Sequence, residues 1–162
     1  MAKPRPRKRE LKFDNIDDVV ADARALHEQG YVSHGKWTLG QCCFHLAEWT
    51  RYPMDGFPRP PLIIRGVFSI MRMTGYAKKI ADKILAEGFT GGMATAPQTV
   101  ADKDKMSDAE GLRALEKVAA QMKQHNGPLH ASPLFGEMDE ATYQKVSMLH
   151  AEHHLGYLEP KA

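Results

Sequence analysis

The chain has 162 residues, the size of one domain that can bury a core without disulfides or a structural metal. Its composition, 43% hydrophobic and 26% charged, is that of a globular protein, and no segment approaches the ~18 uninterrupted apolar residues of a membrane span. The basic start is not followed by an apolar stretch, so we expect no secretory signal, a cytoplasmic location and no membrane partner.

Positive charge is concentrated at the start of the chain. The formal net charge is +2, but residues 1–12 hold six Lys and Arg against one Glu, and the rest of the chain holds 16 basic and 19 acidic residues. These counts predict a flexible basic arm over residues 1–10 and a single helical domain over residues 11–160. Because no recognition helix is evident and aromatic residues do not alternate with basic ones, we expect no nucleic-acid partner.

The two cysteines, Cys42 and Cys43, are neighbours. Adjacent side chains of a helix point about 100° apart, so a disulfide between them would be strained, and a reducing compartment fits better. Two cysteines without a second pair also exclude a zinc-finger pattern.

The first part of the chain predicts two long helices. Residues 15–29 have apolar side chains at helical spacing and end at Gly30. Thr38 is a good N-cap for a second helix, which is predicted to run from Leu39 to about Tyr52 because Pro53 follows.

The middle of the chain predicts a long crossover. Residues 62–87 indicate two short helices around Thr74 and Gly75, and residues 88–106, with several glycines and Pro97, indicate a long loop. The length of this segment leaves room for elements that cover a pocket.

Two more long helices are predicted in the last third. Ser107 and Glu110 form a capping box that opens a helix to about residue 123 or 125. Asp139 is a good N-cap for the last helix, which is predicted to run to Leu158. No segment has the period-two alternation of a strand. Four long amphipathic helices therefore predict an all-α protein, a four-helix bundle with a long crossover between its second and third helices.

The segment HAEHHLGYL, residues 150–158, contains three of the eight histidines of the chain in its first five positions. On a helix, His150 and His154 form an i, i+4 pair on the stripe that also carries apolar residues, so both imidazoles can converge on one ion. His153 lies about 60° to the side and is a weaker ligand candidate. Two ligands are too few for a tight divalent site, which usually needs three or four.

The second helix offers the third ligand. His45 lies at the edge of the predicted buried face, together with polar and aromatic residues: Gln41, Cys42, Glu48, Trp49 and Tyr52. From the residues alone the alternatives stay open. His45 is either a ligand or a core histidine bonded to a backbone carbonyl, His153 is either a neighbour of the site or a surface residue, and both tryptophans fit core packing.

The segments GKWTLGQCCFHLAEW and SPLFGEMDEATYQKVSMLHAEHHLGYL resemble the DinB/YfiT-like superfamily of metalloenzymes, and within it the domain-of-unknown-function family 1569. The resemblance covers nearly the whole chain after residue 8. It implies a four-helix bundle of up-down-down-up topology. It also implies a divalent metal, often nickel or zinc, held by His45 of the second helix and by the pair His150 and His154 of the last helix.

The resemblance also implies a function, because characterised relatives include transferases and isomerases that use low-molecular-weight thiols such as mycothiol or bacillithiol. We therefore expect a divalent-metal-dependent enzyme, a thiol-dependent transferase or a hydrolase, that acts on a small molecule. Glu48, one turn from His45, and His153 are the candidate catalytic residues, and Cys42 is either a fourth ligand or a core filler.

Two further interpretations of the sequence remain. The alternative to an enzyme is a non-enzymatic metal-binding helical bundle, or an adaptor that uses its basic arm; the superfamily also permits a homodimer. An interfacial membrane helix over residues 62–87, with Arg65, Arg72, Lys78, Lys79 and Lys83, is disfavoured, because the apolar and basic positions do not separate cleanly onto two faces.

Overall fold

A computed structural model of the chain describes residues 7–90, 95–102 and 104–161. This part of the protein is mostly helical, at 61%, so the prediction of a helical protein is confirmed. The elements, in chain order, are α1 (Ile16–Gln29), β1 (Tyr31–Ser33), α2 (Leu39–Asp55), α3 (Leu62–Met73), α4 (Tyr76–Glu87), a 3-10 turn (Pro97–Thr99), α5 (Asp108–Gln124), α6 (Glu140–Leu155) and β2 (Leu158–Pro160).

Most helix ends agree with the capping residues in the sequence, but two do not. α2 continues through Pro53 to Asp55, and the amide of Gly56 closes it with a 2.8 Å bond to the carbonyl of Tyr52. Proline removes only the hydrogen bond of its own amide, and here the remaining bonds extend the helix by three residues beyond Tyr52, nearly one turn. At the other end of the chain, α6 stops at Leu155 and not at Leu158, because the chain turns at Gly156 into a strand.

The expectation that the chain has no strands was wrong. β1 and β2 pair antiparallel, with Tyr31 opposite Pro160 and Ser33 opposite Leu158. Each strand has three residues, which is too short for a period-two pattern to be visible in the sequence. The pairing ties the end of the chain to the α1–α2 connection.

The core lies between α1, α2, α5 and α6, whose apolar faces supply most of its buried residues. α2 and α5 approach most closely where glycines face each other: a Cβ atom on Gly111 would lie 2.2 Å from the carbonyl oxygen of Gly40. The amide of Gly40 also donates to Asp108 Oδ1 over 2.7 Å. Only glycine permits this backbone approach, which brings the starts of α2 and α5 together.

Part of the predicted basic arm is attached to the helical body. The amides of Lys8 and Arg9 donate to the carbonyl of Gly156 over 2.9 and 3.1 Å. The guanidinium of Arg9 donates to both carboxylate oxygens of Asp22, over 2.7 and 2.8 Å, and to the carbonyl of Leu155. Residues 1–6 of the arm lie outside the described residues, and the flexible arm over residues 1–10 stays a prediction.

The two short helices predicted on either side of Thr74 and Gly75 are confirmed as α3 and α4, and Gly75 has the positive φ, +72°, that the break between them requires. α4 packs on α6 and buries Ala77 and Ile84, whereas α3 packs against α4 and buries none of its residues. None of the helices among the described residues combines the length and the apolar character needed to cross a membrane.

Candidate metal centre

The structure brings together the three histidines that the sequence singled out as ligands. Nε2 of His45 lies 3.2 Å from Nε2 of His150, which in turn lies 3.0 Å from Nε2 of His154. One ring nitrogen from each of these residues lies within 4.8 Å of the other two. Among the described residues, these three histidines form the cluster of His, Cys, Asp or Glu side chains that could hold a metal ion.

α6 supplies two of the three rings. Two contacts near its start fix where the helix begins and how it lies against α2. The Asp139 carboxylate caps the helix by accepting from the amide of Thr142 over 2.7 Å. One turn further along, the Tyr143 hydroxyl donates to the carbonyl of Thr50 on α2 over 2.6 Å. With α6 held against α2 in this way, the i, i+4 spacing carries His150 and His154 towards His45.

α2 supplies the third ring and also holds the loop behind it. Thr38 and Gln41 form a capping box at the start of α2, and the Gln41 side-chain amide donates to the carbonyl of Ala101 over 2.8 Å. One turn later, Nδ1 of His45 lies 3.0 Å from Oγ1 and 3.2 Å from the carbonyl oxygen of Thr99. Thr99 is fully buried, so the loop is closed over the back of the His45 ring.

Thr99 determines which nitrogen of His45 carries the proton. Its hydroxyl donates to the carbonyl of Ala96 over 2.7 Å, so the hydroxyl oxygen must accept from His45, as its carbonyl oxygen must. Nδ1 of His45 is therefore the protonated nitrogen, and Nε2 has its lone pair free. The reading of His45 as a core histidine bonded to a carbonyl is thus correct for Nδ1, while Nε2 faces the other two histidines.

The donor set fits a divalent metal ion. Nε2 of His45 has no proton to donate. Nε2 of His150 carries at most one proton, which it cannot donate to both His45 and His154, so hydrogen bonds among the three rings cannot satisfy both contacts. A cation shared by the three nitrogens would satisfy all of these lone pairs together. Nitrogens bound tetrahedrally to zinc at about 2.0–2.1 Å lie about 3.3–3.4 Å apart, close to the two distances observed.

Burial keeps the three imidazoles in the neutral form that a metal requires. Desolvation lowers the pKa of His45 to about 4, although its bond to the Thr99 backbone acts in the opposite direction. Desolvation also lowers the pKa of His150 and His154 well below the ordinary value, and the positive charge that neighbouring histidines would carry adds to the effect. All three rings are therefore neutral, each with a single ring proton, at neutral pH.

Aromatic rings surround the cluster. Trp37 stacks on His154 at a centroid distance of 4.9 Å and an interplanar angle of 11°, and it also contacts His45 at 4.8 Å. Phe89, from the segment after α4, lies 4.8 Å from the ring of His150, and Trp49 lies 6.3 Å from it. These rings hold the imidazoles in place and lower the local polarity.

The other candidate residues have different surroundings. Glu48 is engaged by Arg51, whose Nη2 donates to its two carboxylate oxygens over 3.0 and 2.8 Å. His153 packs edge-on against His154 and Tyr157, and its Nδ1 is buried without a hydrogen-bond partner among the described residues. Burial lowers the pKa of His153, and the positive charge of Arg7 lowers it further. A catalytic role for Glu48 or His153 stays a prediction.

Both cysteines are free and buried, as the interpretation of Cys42 as a core filler requires. Burial raises the pKa of the Cys42 thiol to about 12, and Cys42 Sγ lies 4.0 Å from the carbonyl oxygen of His154. Cys42 is not in the cluster of potential ligands formed by the described residues.

Sequence reasoning missed two residues of this site and misjudged a third. Thr99 and Phe89 lie in the segment predicted as a long loop, where no periodicity indicates which side chains point inward. Trp37 was interpreted as packing, but it contacts two of the three imidazoles. The position of Trp37 just before the N-cap of α2 is the one local signal that it could lie near the start of the helix that carries His45.

Comparison with known proteins identifies the family. A search of curated proteins and a search of solved structures each find no match to the chain. The family described as "Protein of unknown function (DUF1569)" matches residues 5–161, which confirms the resemblance to that family. The chain therefore belongs to the DUF1569 family of proteins of unknown function.

Proposed function

We propose that this protein is a divalent-metal-dependent enzyme of the DinB-like superfamily, with His45, His150 and His154 as the ligands of nickel, zinc or a similar ion. The observation that carries the proposal is the convergence of three neutral imidazoles through Nε2, with the proton of His45 held on the opposite nitrogen by Thr99. The substrate is a small molecule, and the reaction is a thiol-dependent transfer or a hydrolysis.

The contacts between helix ends support the proposed up-down-down-up topology. α2 and α5 meet at their starts, through Gly40 and Asp108, and again at their ends, where Gln121 donates to Asp55, so they run parallel. α6 is antiparallel to α2, because the start of α6 contacts the end of α2 through the Tyr143–Thr50 bond. α1 is antiparallel to α5, since Lys123 near the end of α5 pairs with Asp17 at the start of α1 (2.7 Å). α3 and α4 then form the crossover between the second and third helices of the bundle.

The donor set defines the chemistry that the site can support. A divalent ion held by three neutral ligands keeps its full charge and acts as a Lewis acid, which lowers the pKa of a coordinated water or thiol. Thr99 keeps His45 in the ligating tautomer, and Trp37 restricts the rotation of the His154 ring. The three imidazoles are therefore already neutral at neutral pH, and they are held in place for metal binding.

Two side chains are available to move protons beside the ligands. His153 comes one position before the ligand His154, and its buried Nδ1, unpaired among the described residues, can accept a proton from a substrate group. Glu48 has its carboxylate oriented by Arg51, so it is suited to positioning a polar group and less suited to large movement. We therefore place His153 first and Glu48 second as general base.

The proposal is tested by turnover with metal-depleted and metal-loaded protein. The substrates are a panel of small electrophiles offered with low-molecular-weight thiols, together with ester substrates for hydrolysis. We expect turnover that requires metal, that is lost in His45→Ala, and that is retained in His27→Ala, a change at an exposed position on α1. Stoichiometric metal binding without turnover of any substrate would favour the alternative, a non-enzymatic metal-binding bundle.

A further inference from the structure

α3 exposes its apolar side chains to an unusual degree. Leu62, Ile63 and Met73 are 78%, 81% and 84% exposed, Ile70 is 62% exposed and Val67 is 46% exposed. An isolated exposed aliphatic residue needs no explanation, but five of the six large apolar residues that α3 exposes, all except Ile64 (41%), form a patch that marks an interaction surface.

These residues lie on one continuous side of the helix. At 100° per residue, Leu62, Met73, Ile70, Ile63 and Val67 follow one another around an arc of about 140°. Gly66 lies within the same arc, and apart from the adjoining backbone of α3 no atom of the described protein comes within 4 Å of a Cβ built on it. Phe68 and Met71, outside the arc, are the half-buried apolar residues of α3. The arc therefore remains uncovered when α3 packs against α4.

The charge of the chain segment that contains α3 has one sign. Residues 56–81 contain no carboxylate and five cations: Arg59, Arg65, Arg72, Lys78 and Lys79. Lys78 pairs with Asp82, and Arg72 donates to the carbonyl of Pro133. Arg59, Arg65 and Lys79 are exposed, and none of them has an ion-pair partner within the described ranges.

We propose that α3 binds the surface of an anionic lipid bilayer, with its apolar arc in the interface and its arginines at the phosphate level. Binding of this kind combines buried apolar area with attraction between basic side chains and anionic headgroups, and it does not require a spanning helix. The proposal is independent of the metal centre and goes beyond the proposed function.

The positive charge of the segment that contains α3 favours an anionic lipid surface over a second copy of the chain as the partner of the apolar arc. In a symmetric dimer the same patch would face itself, which would bring two carboxylate-free, cationic segments together. An anionic headgroup layer neutralises the same charges. The patch is also one 12-residue helix, which is small for the roughly 800 Å² that each partner of a stable dimer usually buries.

The apolar arc belongs to α3 alone. Over residues 62–87 as a whole, basic and apolar positions do not separate onto two faces, whereas α3, which ends at Met73, has a continuous apolar arc.

The test is flotation of the full chain with large unilamellar vesicles. One set contains phosphatidylcholine alone, and the other contains about 30% phosphatidylglycerol. We expect binding to the anionic vesicles that is at least about tenfold stronger than to the neutral ones and that weakens with added salt. Ile70→Glu should abolish most of the binding, whereas Ala120→Glu, the same added charge at an exposed position on α5, should not.

A second pair of variants tests the electrostatic part. Arg65→Glu should weaken binding to the anionic vesicles, while Lys117→Glu on α5, with the same change in net charge, should leave it nearly unchanged. Since α3 buries none of its residues, melting curves of the α3 variants should match that of the wild type. Failure of the wild type to float, or equal flotation of Ile70→Glu, would overturn the proposal. A wild-type dimer that Ile70→Glu dissociates, without vesicle binding, would overturn it in favour of a second copy.

Discussion

Thr99 Oγ1 lies 3.0 Å from Nδ1 of His45, and the same hydroxyl donates its proton to the carbonyl of Ala96. This arrangement fixes the tautomer of His45 from a loop that is remote in sequence, and it directs the Nε2 lone pair towards His150. In metal sites, such a bond to the far nitrogen of a histidine ligand orients the ring and raises its basicity.

The first prediction concerns this bond. Thr99→Val keeps the branched shape of the side chain but removes the hydroxyl acceptor. We expect metal affinity to fall about tenfold, at the lower end of the 10–100-fold range for outer ligand partners, because the Thr99 carbonyl still accepts from His45. Competition with a chromophoric chelator measures this affinity. Thr74→Val, at the residue that follows α3, should leave the affinity unchanged. An unchanged affinity in Thr99→Val would show that the hydroxyl plays no part.

The second prediction concerns the pH dependence of stability without metal. The imidazole of His45 titrates near 6.5 when unfolded and near 4 when folded, because burial lowers its pKa. Between these values only the unfolded chain binds the proton, so the unfolding free energy falls as pH drops from 6.5 to 4 and is unaffected by this group above 6.5. The contribution of His45 over the window is on the order of 3 kcal/mol.

Urea unfolding in the presence of a chelator, at several pH values, checks this dependence. His45→Gln should reduce the slope of the curve below pH 6.5, to which His150 and His154 also contribute, and His27→Gln, at an exposed position, is the matched control. Identical slopes in His45→Gln and the wild type would contradict the assignment of a buried, neutral His45.

The third prediction concerns the start of the chain. Arg9 is 18% exposed at its side chain and pairs with Asp22, so Arg9→Ala should lower the unfolding free energy by about 1–2 kcal/mol. Lys8→Ala, at an exposed position, should change it little because it keeps the backbone bond to Gly156, and deletion of residues 1–8, which removes that bond but keeps the ion pair, should cost less than Arg9→Ala. Urea denaturation measures all three. Equal stabilities of Arg9→Ala and Lys8→Ala would mean that the pair contributes nothing.

The fourth prediction concerns the close approach of α2 and α5. Gly111→Ala would place its new methyl group 2.2 Å from the carbonyl oxygen of Gly40, so the two helices would have to separate. We expect a loss of about 2–4 kcal/mol in unfolding free energy. Gly66→Ala on α3 meets nothing within 4 Å and should be stabilising by about 0.5–1 kcal/mol, through helix propensity alone. Thermal melting of both variants should show shifts in opposite directions.

The helical architecture could be predicted because its signals are local. Ser107 and Glu110 form the capping box that opens α5, and Asn15 caps α1 one residue before its first turn. The pair His150 and His154 could be predicted for the same reason, since i, i+4 spacing on a helix is sufficient to bring two rings to one side.

What could not be predicted depends on contacts between distant segments. Nothing near Thr99 in the sequence indicates that it is buried, because its position follows from bonds to His45 and from the Gln41–Ala101 contact. The strands Tyr31–Ser33 and Leu158–Pro160 form because the end of α6 passes the α1–α2 connection, and three residues carry no periodicity. The docking of Arg9 likewise depends on Asp22 and on the end of α6.

The metal content of the purified protein tests the central claim most directly. Untagged protein, loaded with nickel or zinc and freed of excess ion, is analysed for metal beside the alanine variants of His45, His150, His154 and His153. We expect about one ion per chain in the wild type and in His153→Ala, and loss of the ion in each of the other three variants. A wild type that retains neither nickel, zinc, iron nor manganese, or a His45→Ala variant that retains a full equivalent, would contradict the three-histidine site.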